Sequence, residues 1–120
     1  MQTTRRICLA LDLKDDAALI AEYERHHEPQ NAWPEITDSI KNSGIEEMHI
    51  YRIENRLFLI MEVNESFSAE RKSAADANNP KVREWEQLMW KFQQPLASAR
   101  DGEKWLEMKE IYRLSGAESD

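Results

Sequence analysis

The spacing of hydrophobic residues changes several times along the chain, and each change marks a predicted element. Residues 7–13 alternate with a period of two, which is typical of a β-strand with an apolar face. Residues 15–27 follow a helical period instead, and Pro29 ends that helix. A second helix is expected to begin at Pro34, because proline is tolerated in the first turn, and to end at Gly44.

The second half of the sequence predicts a β-hairpin, two further helices and a closing strand. Residues 46–53 and 56–63 are strand-like runs separated by two residues, the spacing of a tight β-hairpin. Residues 68–77 predict a short helix, and residues 80–96 predict a long one with apolar side chains at helical spacing. Residues 104–114 alternate again and predict the last strand. The order of elements is therefore β-α(α)-β-β-α-β.

This order predicts an α+β fold of the ferredoxin-like type, with one four-stranded antiparallel sheet and helices on one face. No stretch resembles an internal linker, so residues 1–120 are interpreted as a single domain whose last residues, about 115–120, are frayed. Residues 56–63 are apolar on both faces, which indicates that the bare face of the sheet is also covered. A second copy of the same sheet is the simplest cover, and a homodimer through the sheet face is expected.

Composition and charge narrow the classes of partner. Asp and Glu outnumber Lys and Arg by 23 to 16, and the net charge of −7 argues against a protein that must neutralise nucleic-acid phosphates. The single cysteine, Cys8, cannot form an internal disulfide, which favours the cytoplasm. Neither a signal peptide nor an apolar run of membrane-spanning length is recognisable. A neutral or cationic small molecule, or another protein, is the expected partner.

The sequence offers little for a metal or a nucleotide cofactor. The adjacent histidines, His26 and His27, point about 100° apart on a regular helix, so they do not face one ion together. The third histidine, His49, is distant in sequence. Three glycines are too few for the glycine-rich loop that holds nucleotide phosphates. Neither a metal nor a cofactor is therefore expected.

Tyr23 and His27 are better candidates for chemistry. They are four residues apart and stack on one face at the end of the first predicted helix. Histidine exchanges protons near neutrality, and a tyrosine hydroxyl can orient it or a substrate. A histidine at a helix C-terminus can equally serve only to interact with the helix dipole. The residue pattern by itself leaves both interpretations open.

The stretch AEYERHHEPQNAWPEI, residues 21–36, resembles the EYxxxHxPxWPE signature of the L-rhamnose mutarotase family, with two extra residues between Pro29 and Trp33. The similarity continues through SGIEEMHIYRI, RLFLIMEV and WEQLMW to EIYRL, and so covers nearly the whole chain. It implies a dimeric α/β barrel and a cofactor-free isomerase. The implied reaction interconverts the α and β anomers of a 6-deoxy-L-hexose, L-rhamnose or L-fucose, by ring opening, rotation about C1–C2 and closure.

The resemblance also implies roles for particular residues. It places the acid/base histidine at His27, rather than His26, as the proton donor to the ring oxygen. It places a sugar-contacting tyrosine at Tyr23. Trp85 would form an apolar wall for the methyl group of the deoxysugar.

Two positions depart from the family pattern. Met48 stands where the family has a tyrosine, although Tyr51 follows three residues later and is interpreted as substrate-binding. Glu86 follows Trp85 where the family has a second tryptophan, so Glu86 is also expected to contact substrate. Glu86 or a water molecule is a candidate for the second acid/base group. Both departures bear on which sugar is used.

Two other functions share these features. A cofactor-free or heme-linked monooxygenase uses the same dimeric barrel, because one fold serves several chemistries. A non-catalytic module that binds a small ligand would need the same kind of cavity.

Overall fold

The computed structural model describes residues 4–115, which form one antiparallel sheet and four α-helices. In chain order the elements are β1 (Thr4–Leu13), α1 (Ala17–His26), a 3₁₀ turn (Pro29–Asn31), α2 (Pro34–Asn42), β2 (Ile45–Ile53), β3 (Arg56–Asn64), α3 (Ala69–Ala77), α4 (Pro80–Trp90), β4 (Gln93–Gln94) and β5 (Leu106–Glu107). Most of the tail predicted to be frayed lies outside the described residues. The single-domain interpretation stays a prediction.

The sheet has the strand order of a ferredoxin-like fold. The order is β2-β3-β1-β4, and β5 pairs with β1 on the side that β4 also uses. All neighbouring strands are antiparallel. The predicted α+β class is therefore confirmed. The fourth strand position is shared by two short pieces rather than filled by one long strand.

Most helix and turn boundaries follow local sequence signals. Asp16 caps α1, because its carboxylate accepts a backbone N–H of the first turn at 3.0 Å. Pro34 begins α2, and Ser68 and Asn79 cap α3 and α4 through their side chains. The predicted hairpin is confirmed, with Glu54 at a left-handed φ of 51° in the two-residue turn.

The core lies on one face of the sheet, where strand side chains meet the helices. The register places Leu9 opposite Leu59 and Leu11 opposite Leu57 on this face. The strand residues of both hydrophobic clusters lie on the same side, and Trp105 packs against both clusters. This arrangement confirms that the helices cover one face.

The opposite face of the sheet is uncovered among the described residues. Across β2 and β3 it carries Tyr51 opposite Phe58 and His49 opposite Ile60. Tyr51 is 58% exposed and Ile53 is 62% exposed. This face therefore combines exposed apolar side chains with charged ones, including the ion pairs Arg6–Glu62 and Asp12–Arg56.

The long helix predicted for residues 80–96 ends earlier, at Trp90. Phe92 lies outside the helix and is fully buried, with 0% exposure. After the helix, the backbone forms hydrogen bonds with the sheet instead. The carbonyl of Phe92 accepts the N–H of Lys14 at 2.8 Å, and Gln93–Gln94 pairs with β1. Pairing with β1 replaces helical hydrogen bonds, so the prediction is wrong beyond Trp90.

The last strand, predicted for residues 104–114, is wrong for most of its length. β5 has two residues, and the chain leaves the sheet after the N–H of Met108 donates to the carbonyl of Cys8 at 2.7 Å. Three apolar side chains beyond this point are 74–88% exposed: Ile111, Tyr112 and Leu114. An alternating pattern forms a strand only where a neighbouring strand and a covering surface exist. The described part of one chain leaves these side chains uncovered.

Replacement of Gly44 by alanine should destabilise the fold. Gly44 has φ of 98°, and an added Cβ would lie 2.8 Å from Asn64 Oδ1 and 2.9 Å from the backbone nitrogen of Phe67. We expect the free energy of unfolding, measured by chemical denaturation, to fall by about 1–3 kcal/mol from backbone strain and further from the contact. Gly102→Ala is the matched control, since its φ is 86° but nothing lies within 4 Å of the added atom. An equal loss at both positions would contradict the contact argument.

Candidate active site

A cavity of about 330 Å³ lies between the core face of the sheet and the helices. The strands line it with apolar side chains, including those of Leu9, Met48 and Leu59. The polar residues that line it are Tyr23, His27, Ser39, Lys72, Asp76, Glu86 and Gln93. An apolar cavity with a few polar groups is the usual form of a small-molecule site. A larger hollow of about 520 Å³ beside α3 contains no histidine or aromatic residue in its lining, which makes it the poorer candidate.

His27 is held at the end of α1 in a defined tautomer. Its Nδ1 lies 2.8 Å from the backbone carbonyl oxygen of Tyr23. A carbonyl oxygen can only accept, so Nδ1 carries the hydrogen. In the neutral ring, Nε2 is then the proton acceptor, which is the form that a general base requires.

Aromatic neighbours adjust the acidity of His27. The ring centroid of His27 lies 4.4 Å from that of Tyr23 and 5.6 Å from that of Trp85. Burial lowers the pKa of His27 below 6.5, and the nearby His26 lowers it further, whereas the hydrogen bond to the Tyr23 carbonyl opposes both. His27 nevertheless keeps exposed surface at the mouth of the cavity. At neutral pH the predominant form is therefore the neutral ring.

Tyr23 is deeply buried and stays protonated. It is 3% exposed, and burial raises its pKa to about 12. A hydrogen bond from the side chain of Gln93 opposes this rise, and the charge of Glu86 adds to it. A phenol in this state is a hydrogen-bond donor at physiological pH.

Trp85 forms one wall of the cavity and is braced by Trp33. The two indole rings meet edge to face with centroids 5.1 Å apart. Trp33 comes from the loop before α2 and Trp85 from α4, so this contact ties the two segments together. The structure thus brings Tyr23, His27 and Trp85 to one site, as the sequence predicts.

Of the other two predicted site residues, Glu86 lines the cavity and Tyr51 does not. Glu86 lines the cavity and forms an ion pair with Lys104. Tyr51 is not part of the cavity lining, because strand alternation turns its side chain to the bare face, where its ring stacks on His49 with centroids 6.3 Å apart. It borders a neighbouring cleft that also includes Tyr23 and His27. The substrate-binding role of Tyr51 stays a prediction.

His26 is separated from the cavity although it adjoins His27. Its ring packs 5.5 Å from that of Phe92, and its Nε2 lies 3.8 Å from a carboxylate oxygen of Glu22. His49 lies on the bare face of the sheet, so the three histidines do not converge. Within residues 4–115, no three His, Cys, Asp or Glu residues are grouped closely enough to hold a metal ion.

Gln93 lines the cavity and Lys104 contacts it from outside the lining, and the sequence pattern revealed neither residue. Gln93 is 4% exposed, lines the cavity and accepts a hydrogen bond from Lys104 Nζ at 2.8 Å. Both residues follow α4, in segments whose secondary structure the pattern predicted incorrectly. The polarity of Gln93 next to the apolar Phe92 was the one available signal.

Fold and cavity together define a small ferredoxin-like α+β protein in which a histidine, a tyrosine and a tryptophan line one cavity. Comparison with known proteins identifies one family. The family model for L-rhamnose mutarotase matches residues 6–114 of this chain. The chain belongs to the L-rhamnose mutarotase family, as the sequence resemblance indicated.

Two relatives are similar to this chain in sequence, and one solved structure is similar to it in fold. An L-fucose mutarotase from Xanthomonas campestris pv. campestris is 47% identical over 115 residues, covering 96% of this chain and 92% of that protein. A UPF0734 protein from Dictyostelium discoideum is 34% identical over 109 residues, covering 88% and 86%. The crystal structure of an L-rhamnose mutarotase from Formosa agariphila has the same fold, with a TM-score of 0.66, 22% identity and coverage of 92% and 98%. In the described part of this chain, no helix has the length and apolar character to cross a bilayer.

We expect NMR titration of His27 to give a pKa below 6.5 and, above it, the chemical shifts of the Nδ1–H tautomer. Trp85→Ala should move this pKa back toward 6.5, because it removes part of the burial that disfavours the charged ring. His26→Ala should raise it as well, by removing a neighbouring positive charge. A neutral ring protonated at Nε2 would contradict the hydrogen bond to the Tyr23 carbonyl.

Proposed function

We propose that this chain is a mutarotase that interconverts the α and β anomers of a 6-deoxy-L-hexose, with L-fucose and L-rhamnose as the two candidate sugars. The observation that carries the proposal is the position of His27, which is oriented by its hydrogen bond to the Tyr23 carbonyl and lies beside the Tyr23 ring in an apolar cavity. The printed activity of the 47% identical relative supports L-fucose, and that of the family model supports L-rhamnose. The cavity volume of about 330 Å³ suits one small ligand.

The geometry supports an acid/base route for ring opening. Neutral His27 accepts the proton of the anomeric hydroxyl through Nε2 while the bond from C1 to the ring oxygen breaks. The ring oxygen gains a proton from a second acid/base group, for which Glu86 or a water molecule is the candidate. The open-chain aldehyde then rotates about C1–C2, and closure reverses both transfers. The lowered pKa makes His27 a base at the start of the cycle, whereas the resemblance alone implied a donor to the ring oxygen.

The walls of the cavity suit a sugar with one apolar corner. Trp85 and the strand side chains Met48 and Leu59 provide apolar surface for the methyl group. Glu86 also lines the cavity and offers a carboxylate to a hydroxyl group of the sugar. Tyr51 would reach the sugar only from the neighbouring cleft.

The chain is further proposed to act as a homodimer in the cytoplasm. The apolar bare face, with Tyr51 and Ile53 exposed, supports association through the sheet. The exposed side chains of residues 111, 112 and 114 add apolar surface of the same kind. The single cysteine, Cys8, supports a reducing compartment.

Two other functions fit the fold, and experiments distinguish each of them from the mutarotase proposal. A dimeric-barrel monooxygenase of the heme-linked kind would bind heme with a shift of the Soret band, and such a shift would contradict the sugar proposal. A non-catalytic binding module would hold a sugar without accelerating its mutarotation.

Saturation-transfer NMR on L-fucose and L-rhamnose should show faster exchange between anomers in the presence of the protein. His27→Ala should lower kcat by roughly 10²–10⁴-fold, the usual contribution of one positioned acid/base group. The rate should fall as the pH drops through the lowered pKa of His27, because protonation removes the base. His26→Ala is the matched control and should retain activity. Acceleration of neither sugar would refute the enzymatic proposal.

Ile60→Glu should convert the proposed dimer into a monomer. Ile60 lies on the bare sheet face, and burying a charge there in the proposed interface is costly. Size-exclusion chromatography with light scattering measures the mass, and Ala21→Glu, on the exposed side of α1, should leave the dimer intact. A monomeric wild type would show that the sheet face has another role.

A further inference from the structure

Three polar side chains, those of Ser39, Lys72 and Asp76, form a serine–lysine–aspartate cluster in the wall of the cavity. Ser39 belongs to α2, whereas Lys72 and Asp76 lie one turn apart on α3. The Ser39 hydroxyl donates to Asp76 Oδ1 at 3.1 Å, and Lys72 Nζ donates to Oδ1 at 3.1 Å and to Oδ2 at 2.9 Å. Lys72 Nζ also lies 3.5 Å from Ser39 Oγ. The proton transfers of ring opening use none of these groups.

This cluster and His27 border different ends of the cavity. The cavity adjoins the larger hollow beside α3 and the cleft next to Tyr51. It shares Ser39, Lys72 and Asp76 with the hollow, and it shares His27 with the cleft. In the described part of the chain, the hollow and the cleft have no lining residue in common. A ligand whose reacting atoms lie at His27 therefore extends towards the cluster.

The cluster retains hydrogen-bonding capacity on its cavity side. An ammonium group has three hydrogens, and among the described residues those of Lys72 are directed only to Asp76 and, at 3.5 Å, to Ser39. A carboxylate oxygen can accept two hydrogen bonds, and Asp76 Oδ2 accepts one, from Lys72, within residues 4–115. A donor and an acceptor thus lie 2.9 Å apart in the cavity wall. Two neighbouring sugar hydroxyl groups, each of which both donates and accepts, match such a pair.

We propose that the serine–lysine–aspartate cluster binds the hydroxyl groups at C3 and C4 of the sugar and thereby determines which sugar is accepted. The inference rests on the proposed mutarotase function. In a pyranose ring, the C3–C4 bond lies opposite the bond between C1 and the ring oxygen, which is the bond that breaks. A sugar with C1 at His27 therefore presents its C3 and C4 hydroxyl groups to the far end of the cavity. Lys72 donates to one of them, and Asp76 accepts from the other.

The position of this contact bears on the choice between the two candidate sugars. L-Fucose and L-rhamnose have the same configuration at C3 and opposite configurations at C2 and C4. The C4 hydroxyl group is axial in L-fucose and equatorial in L-rhamnose. Because mutual contacts fix the three side chains of the cluster, they cannot fit both positions equally well. A charged group left without its hydroxyl partner disfavours the poorer fit.

A purely structural role for the cluster predicts different results. The contact between Ser39 and Asp76 also joins α2 to α3. If that were its whole role, loss of Lys72 would lower the melting temperature, and KM would not depend on any particular hydroxyl group of the sugar. A comparison of deoxy sugars distinguishes the two roles.

The test combines Lys72→Met with removal of single hydroxyl groups from the preferred sugar, measured by saturation-transfer NMR. With the intact sugar, Lys72→Met should raise KM by roughly 10- to 100-fold, the usual loss for a hydrogen bond to a charged group. The value of kcat should change little, because the contact is the same in the ground state and the transition state. With the 3-deoxy or the 4-deoxy sugar, wild type and variant should have similar KM, since the partner of Lys72 is then missing.

The 2-deoxy sugar is the matched ligand control and should show the full difference in KM, because it keeps the C3 and C4 hydroxyl groups. The proposal is overturned if the 2-deoxy sugar abolishes the difference, or if neither the 3-deoxy nor the 4-deoxy sugar does so. An unchanged KM in Lys72→Met would overturn it as well. Asp76→Asn, in the same cycle, serves if Lys72→Met does not fold.

Arg71→Met is the matched protein control. Arg71 is the neighbouring cation on α3, but it is exposed, donates to the carbonyl of Ser66 and lines the outer hollow without lining the cavity. Its replacement should leave KM unchanged. Equal effects of Arg71→Met and Lys72→Met would mean that the ligand occupies the hollow, which contradicts the proposal.

Sugar preference gives a second readout. In Lys72→Met, the ratio of kcat/KM for L-fucose to that for L-rhamnose should move towards one, because the contact that distinguishes the two C4 configurations is lost. An unchanged ratio would overturn the selective role of the cluster.

Binding of 1,5-anhydro-L-fucitol and 1,5-anhydro-L-rhamnitol provides a readout that needs no turnover. These sugars lack the anomeric hydroxyl group and cannot open, so calorimetry measures binding alone. Lys72→Met should weaken the binding of the preferred one by the same factor as it raises KM, and Arg71→Met should not. Binding of neither, or equal binding to wild type and Lys72→Met, would overturn the proposal. If the wild type accelerates no sugar but binds in this pattern, the mutarotase function fails while the hydroxyl-binding role stands.

Discussion

The pairing of β1 along both of its edges is the constraint on which the site depends. One edge pairs with β3 over nine residue pairs, and the other is divided between Gln93–Gln94 and Leu106–Glu107. Because the short pieces β4 and β5 are fixed to the same strand, the segments that carry Gln93 and Lys104 are brought together beside α4. A loop without this pairing would not hold a buried lysine against a buried amide.

Much of the fold follows from local patterns in the sequence. Alternation of hydrophobic and polar residues, caps such as Asp16 and Ser68, and the prolines determine β1, the hairpin and the first three helices. These signals act over a few residues, so they can be recognised without tertiary structure. The end of α4 and the short strand after it cannot, because hydrogen bonds to β1 from more than seventy residues away decide them.

The site residues divide in the same way, into those that local sequence patterns reveal and those that depend on contacts between distant segments. His27, Tyr23 and Trp85 were recognisable from helical spacing and from a family signature, and the structure brings them together. The side on which Tyr51 lies depends on strand register, which the sequence leaves open within one residue. The contact between Gln93 and Lys104 joins two segments through space, and neither residue type signals a partner by itself. The predicted residues on α1 and α4 therefore line the cavity, whereas Tyr51 on β2 does not.

The two faces of β3 serve two surfaces at once. Leu59 and Met61 point into the cavity, whereas Phe58 and Ile60 point to the bare face, so neighbouring residues along one strand belong to different surfaces. Insertion or deletion of a single residue in this strand would exchange the side chains that point into the cavity with those that point to the bare face. Both surfaces would be disrupted together. Over evolutionary time, β3 should accept substitutions of side chains but resist any change of length. Diversity in sugar choice would then arise by point replacement on alternate positions of this strand, and insertions would be confined to the loops that join the helices.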